Sequence, residues 1–121
     1  MSKLNGCAYC LQHHSAGLER LLKGQRQELV RQLREGGEDL ETLAPLLEPR
    51  EQAMLAYATK LTRTPSLVAA EDVEQLRSAG LDDRAVLDLA QVVAYFCYAN
   101  RIVLGLGAEL ESFPLGQHPE A

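Results

Sequence analysis

Apolar residues recur along this chain at the three- and four-residue spacing of helices, and no stretch alternates as a strand does. Cys7, Cys10, His14, Gly17 and Leu21 fall on one side of a first helix expected over 6–23, with Asn5 as its N-cap and Gly24 as its break. A second helix over 25–34 turns Leu29, Val30 and Leu33 inward and stops at Gly36-Gly37. Pro45 and Pro49 punctuate 38–47, which reads as a loop with a short helical turn. Pro49 opens a third helix to about Thr62, with Met54, Tyr57, Ala58 and Leu61 inside. A fourth covers 70–78, burying Val73, Leu76 and the stem of Arg77. Asp82 caps a fifth helix that continues to about Leu104, where Gly105 and Gly107 fray it. The expected fold is all-α, a single domain over 1–121 of about five helices, with a loose tail from Ser112 through Pro114, Gly116 and Pro119.

The fifth helix needs weighing against a membrane span. Residues 85–106 are mostly apolar, but Asp88, Gln91, Asn100 and Arg101 interrupt them. The longest unbroken run, Val92 to Ala99, is eight residues, too short for a bilayer. The reading is a core helix, the longest and most buried, with Tyr57 and Tyr95 in the core and Cys97 an inert core thiol. Arg101 is expected in an inter-helix or inter-subunit salt bridge.

Charge narrows the partners. The net charge is −5, and no basic stripe carries interleaved aromatics, so nucleic acid is not an expected partner. Three cysteines, two of them in a CxxC, do not make a secreted disulfide framework. Together with a start lacking an apolar signal core, they point to a reducing compartment, the cytoplasm.

Chemistry concentrates in 5–14, where two cysteines and two histidines lie within eight residues. Cys7 and Cys10, and Cys10 and His14, are neighbours on one helix face. Helical residues three apart have Cα atoms about 5 to 6 Å apart, within disulfide reach. A helix N-terminus and a nearby imidazolium both favour thiolate. A thiolate at Cys10 can attack an electrophilic oxygen or sulfur, and Cys7 can then close a disulfide. His14 is the natural proton shuttle. His13 is rotated away and reads as a surface or interface residue. Two plainer readings stand beside this one. The thiols can be small core hydrophobes with a core histidine. They can also bind zinc with His14, the fourth ligand being Cys97, His118 or water, although structural zinc sites usually add a second close pair. Thioredoxins also carry CxxC at a helix start, but there a strand feeds the helix, and none is expected here.

With these residues in hand, the chain resembles the AhpD-like alkylhydroperoxidases of the carboxymuconolactone decarboxylase superfamily, specifically the peroxidase-related branch. The motif is Asn5-Gly6-Cys7-Ala8-Tyr9-Cys10 followed by His13-His14. Pro49-Arg50-Glu51-Gln52-Ala53-Met54-Leu55, Tyr57 to Thr62, and Val92 to Phe96 with Asn100-Arg101 extend the resemblance over nearly the whole chain. It implies an all-α, oligomeric peroxide-reducing enzyme. Cys10 would attack the peroxide and pass through a sulfenic acid, Cys7 would resolve it, and His14 would relay protons. No cofactor is implied. An external dithiol, in some relatives a lipoyl-bearing adapter, would regenerate the pair. The related decarboxylases lack the cysteine pair, which disfavours their reaction here.

The resemblance also implies a helix and a relay glutamate upstream of the pair, and some relatives have a histidine where this chain has Tyr9. Only six residues precede Cys7. The expectation is therefore a family member lacking its N-terminal helices, with the apolar face of the first helix uncovered and a homo-oligomer formed with the first or the fifth helix at the seam. A vestigial, non-enzymatic oligomerisation module is the alternative.

Overall fold

The computed structural model describes residues 1–117. Those residues form six α-helices and no strands: α1 (Ala8–Leu21), α2 (Gln27–Glu35), the short α3 (Leu40–Leu43), α4 (Pro49–Arg63), α5 (Ala70–Ser78) and α6 (Asp83–Leu106). The short helical turn expected before Pro49 is α3 running into a 3₁₀ turn at Ala44–Leu46.

The stop and start signals are met by identifiable atoms. Pro49 occupies the first turn of α4, and the backbone N–H of Glu48 donates to Glu51 Oε2 at 3.0 Å. Asp82 caps α6 by accepting from the Ala85 N–H at 2.8 Å, and Gly107 ends it in the left-handed region at φ 65°. Arg26 precedes α2 at φ 52°, which is uncommon for a residue with a side chain. Its guanidinium is held by both carboxylate oxygens of Glu51 at 2.8 Å and by the Leu46 carbonyl at 2.8 Å, so tertiary contacts fix this turn.

One part of the core lies among α4, α5 and α6, where Tyr57, Leu76 and Leu81 are buried with Met54, Leu61, Val73, Val86 and Leu89 around them. Leu29, Val30 and Leu43 are buried as α2 and α3 come against their neighbours. Arg77 does not lie inward by its stem. It is exposed and pairs with Asp83 at 2.9 Å and with Glu74.

α6 is the longest helix, as expected, but it is not the most buried. Val93 and Asn100 are its buried residues, while Leu87, Tyr95, Tyr98, Ile102 and Leu106 are exposed. Tyr95, expected in the core, is 60% exposed. The mostly apolar sequence therefore describes a helix with one packed side and one open apolar side. By length and composition alone, α6 is also the one helix among the described residues that passes for a membrane span, at mean hydropathy 1.4.

The tail, read as loose, is pinned to α1 as far as the described residues go. Arg20 donates to the carbonyls of Leu115, at 2.9 Å, and Gly116. The Gly116 N–H points at His13 Nδ1, at 3.3 Å. Residues 118–121 lie outside the described part, and with them His118.

Candidate functional site

Residues 1–6 coil into hydrogen-bonded turns, from Asn5 N–H to the Met1 carbonyl and from Cys7 N–H to the Ser2 carbonyl, each at 2.9 Å. Gly6 then takes φ 67°, open to glycine, and reverses the chain into α1. The helix starts two residues later than its apolar pattern suggests. Its N-cap is Cys7, whose sulfur accepts from the Cys10 N–H at 3.4 Å. Asn5, expected in that role, faces α6 instead. Its amide donates to Asn100 Oδ1 at 2.9 Å and to Cys97 Sγ at 3.6 Å. Cys97 is thus half-buried and hydrogen-bonded, with its own S–H turned to Thr62 Oγ1 at 3.7 Å.

Cys7, Cys10 and Cys97 are all unbridged thiols. Cys7 is 1% exposed and Cys10 4%. Cys10 borders a cavity of about 380 Å³ between α1, α6 and the tail, whose walls include Tyr9, His13, His14, Tyr95 and Phe96. Cys7 does not line that cavity. Of the two thiols, Cys10 faces the space a small molecule can enter.

Burial pushes the Cys10 thiol above its ordinary range, and the adjacent Cys7 thiol pushes it further, while a hydrogen bond from the Asn100 side chain pulls it down. The raised Cys10 differs from the thiolate that a nearby imidazolium would favour there. The amide that a helix N-terminus offers goes to Cys7, the cap, and the dominant influence on Cys10 is the loss of water.

His14, also named from its spacing, sits at the same cavity with its ring edge-on to Phe96, centroids 4.4 Å apart. It lines a second cavity of similar size between α1, α2 and α3 as well, so the His14–Phe96 pair stands between the two. Of the three sequence-predicted residues, Cys7 caps α1, Cys10 lies in its first turn and His14 lies midway along it; Cys10 and His14 border the same cavity.

His13 is not an idle surface residue. Its Nε2 lies 2.8 Å from Glu111 Oε2, and its ring is 4.6 Å from that of Tyr9. The Tyr9 hydroxyl donates to the other oxygen of Glu111 at 2.5 Å. The Tyr9 hydroxyl, the Glu111 backbone and His13 together hold the Glu111 carboxyl below its ordinary range, and Glu111 raises Tyr9 in turn. Nothing in the sequence near Glu111 signals this role, because its partners lie at the opposite end of the chain.

Arg101 donates to the Cys97 carbonyl of its own helix at 2.9 Å, and the inter-helix salt bridge expected for it is not formed among the described residues. Among those residues, too, no group of three His, Cys, Asp or Glu side chains is placed to hold a metal ion, so the geometry gives the zinc reading no support.

No family model matches this chain, and no curated protein matches it significantly. Solved structures do match. One is the crystal structure of an uncharacterized peroxidase-related protein from Silicibacter sp. TM1040, 33% identical, with a TM-score of 0.82 over 96% of this chain. The chain spans 57% of the length of that protein. The likeness agrees with the AhpD-like resemblance carried by the sequence motifs.

Proposed function

We propose that this chain, an all-α relative of the peroxidase-related proteins, is a thiol peroxidase that works through Cys10 and Cys7. One observation carries the reading: Cys10 opens onto the cavity while Cys7 sits behind it as the helix cap, within reach of the same turn. The Cys10 thiolate attacks the terminal oxygen of a hydroperoxide. The O–O bond breaks, the sulfur becomes a sulfenic acid, and the leaving alkoxide takes a proton to become an alcohol. Cys7 then attacks the Cys10 sulfur, forming the disulfide and releasing water. An external dithiol reduces that disulfide and is itself oxidised to a disulfide; a lipoyl-bearing adapter fits this role. His14, at the cavity wall, is the residue we assign to proton transfer.

The open apolar side of α6 belongs in the same proposal. Leu87, Tyr95, Tyr98, Ile102 and Leu106 follow helical spacing and form a stripe. We assign it to contact with a second copy of the chain. Three free thiols suit a reducing compartment, and we place the protein in the cytoplasm.

Brief peroxide treatment followed by mass spectrometry tests the enzyme reading. A Cys7–Cys10 disulfide is expected, and in Cys7→Ser a sulfenic acid should persist at Cys10. Free thiols at both positions after treatment would sink it. The non-enzymatic reading draws on the near-complete burial of both thiols and the raised Cys10. It predicts that Cys10→Ser changes no peroxide turnover.

A further inference from the structure

We propose that residues 111–117 form a size-selective strap over the Cys10 cavity, which admits a small hydroperoxide while docked and a bulkier dithiol when lifted. The gating stands on geometry alone; what passes the gate rests on the peroxidase reading. Gly116 and Gln117 form part of the wall of the cavity that Tyr9, Cys10 and His13 border. The strap is fastened at two points. At its start, Glu111 accepts from the Tyr9 hydroxyl at 2.5 Å and lies 2.8 Å from His13 Nε2. Towards its end, Arg20 donates to the carbonyls of Leu115, at 2.9 Å, and Gly116, and the Gly116 N–H reaches His13 Nδ1 at 3.3 Å. Gly17 and Gly116 meet without side chains between them, so the strap lies directly on the α1 backbone. Tyr9 and His13 thus serve twice, as cavity wall and as anchors, and the strap cannot lift without widening the cavity.

The docking is built to be reversible. Leu110 and Phe113 are 48% and 56% exposed, so little apolar burial backs the hydrogen bonds. Polar contacts near the surface are individually weak. A segment held mainly by them opens locally while the core stays folded. Residues 108–110, between α6 and the Glu111 anchor, are exposed and outside any helix. They give a hinge on which the strap can swing without disturbing α6. In the proposed cycle the Cys7–Cys10 disulfide must be met by a thiolate on a larger molecule than the peroxide, and that step is the one the strap would hold back.

The experiment compares two thiol reagents at neutral pH, small iodoacetamide and bulky fluorescein maleimide, with labelling followed peptide by peptide by mass spectrometry. Wild type, Glu111→Gln, Gly116→Ala and the control Gly105→Ala are used, with helix content checked by circular dichroism. The readout is the ratio of bulky to small labelling at Cys10. It should rise about fivefold or more in Glu111→Gln and in Gly116→Ala, and stay at the wild-type value in Gly105→Ala. Cys7, which does not line the cavity, should keep its wild-type labelling throughout. A segment docked only for stability would leave the ratio unmoved, so an unchanged ratio in both strap variants overturns the proposal. An equal rise at Cys7 also overturns it, because the first turn of α1 would then be what opens. Labelling needs no peroxide, so a wild type inert to peroxide would remove the peroxidase reading and leave the gate standing.

Discussion

The hydroxyl of Tyr9 donates to the carboxylate of Glu111 at 2.5 Å, joining the first turn of α1 to a segment 102 residues downstream. His13 completes the contact from the next turn. This carboxylate is ionised where it holds the tail. Its folded pKa lies below the ordinary value of 4.5, so its contribution is full above that value and lost as pH falls through the lower one. Glu111→Gln should therefore free the tail at neutral pH, and wild type should do the same only in acid. Hydrogen exchange at 111–117 reads both. Equal protection in Glu111→Gln and wild type at neutral pH would refute the assignment.

Gly116 is the tightest point of that docking. A Cβ there would stand 2.4 Å from the Gly17 nitrogen and 2.7 Å from the His13 carbonyl oxygen, and φ is 67°. Gly116→Ala should cost about 1 kcal/mol or more of tail docking. Because the tail can detach locally, the loss should appear as faster proteolysis of the C-terminus, with little change in the thermal transition of the core. Gly105→Ala, with open space around it, is the matched control.

Cys10 carries a second pH dependence, of opposite sign. Its folded pKa is raised above the ordinary 9.0, so the unfolded chain ionises first and the native state loses stability as pH climbs past that value. The thiol should label slowly at neutral pH, its rate still rising beyond pH 9.0, while urea midpoints fall over the same range. A labelling midpoint well below that value would contradict the burial argument.

The apolar stripe of α6 makes a prediction about assembly. Ile102→Glu places a charge in its middle without touching the buried Val93 or Asn100. Sedimentation should find wild type self-associated and the variant dissociated, with unchanged helix content. A wild type that stays monomeric at high concentration would remove the seam.

The fold was legible in the sequence because its punctuation is local. Pro49, Asp82 and Gly107 act within a turn of where they stand, and Ala70–Ser78 falls where its pattern puts it. The candidate site was legible only as far as helical spacing reaches, which covers the placing of Cys10 and His14 at one cavity. Contacts from distant segments were not. The Asn5 side chain could cap a helix or cross to α6, and only the position of Asn100 decides between them. Glu111 and Gly116 acquire meaning from α1, which spacing near them cannot reveal. The side of α6 that faces out was misread for a related reason. Apolar composition says that a surface avoids water, and not which molecule covers it.

In the proposed reaction the Cys7 sulfur would have two tasks, since it is also the acceptor that begins α1. Bonding it to Cys10 would replace a thiol acceptor by a disulfide sulfur at the helix start, so in the proposed reaction the order of the first turn would be tied to redox state. Redox state and local order would be two readings of one equilibrium. Anything that frayed this turn would favour the oxidised form, and anything that tightened it would make the protein a poorer electron donor.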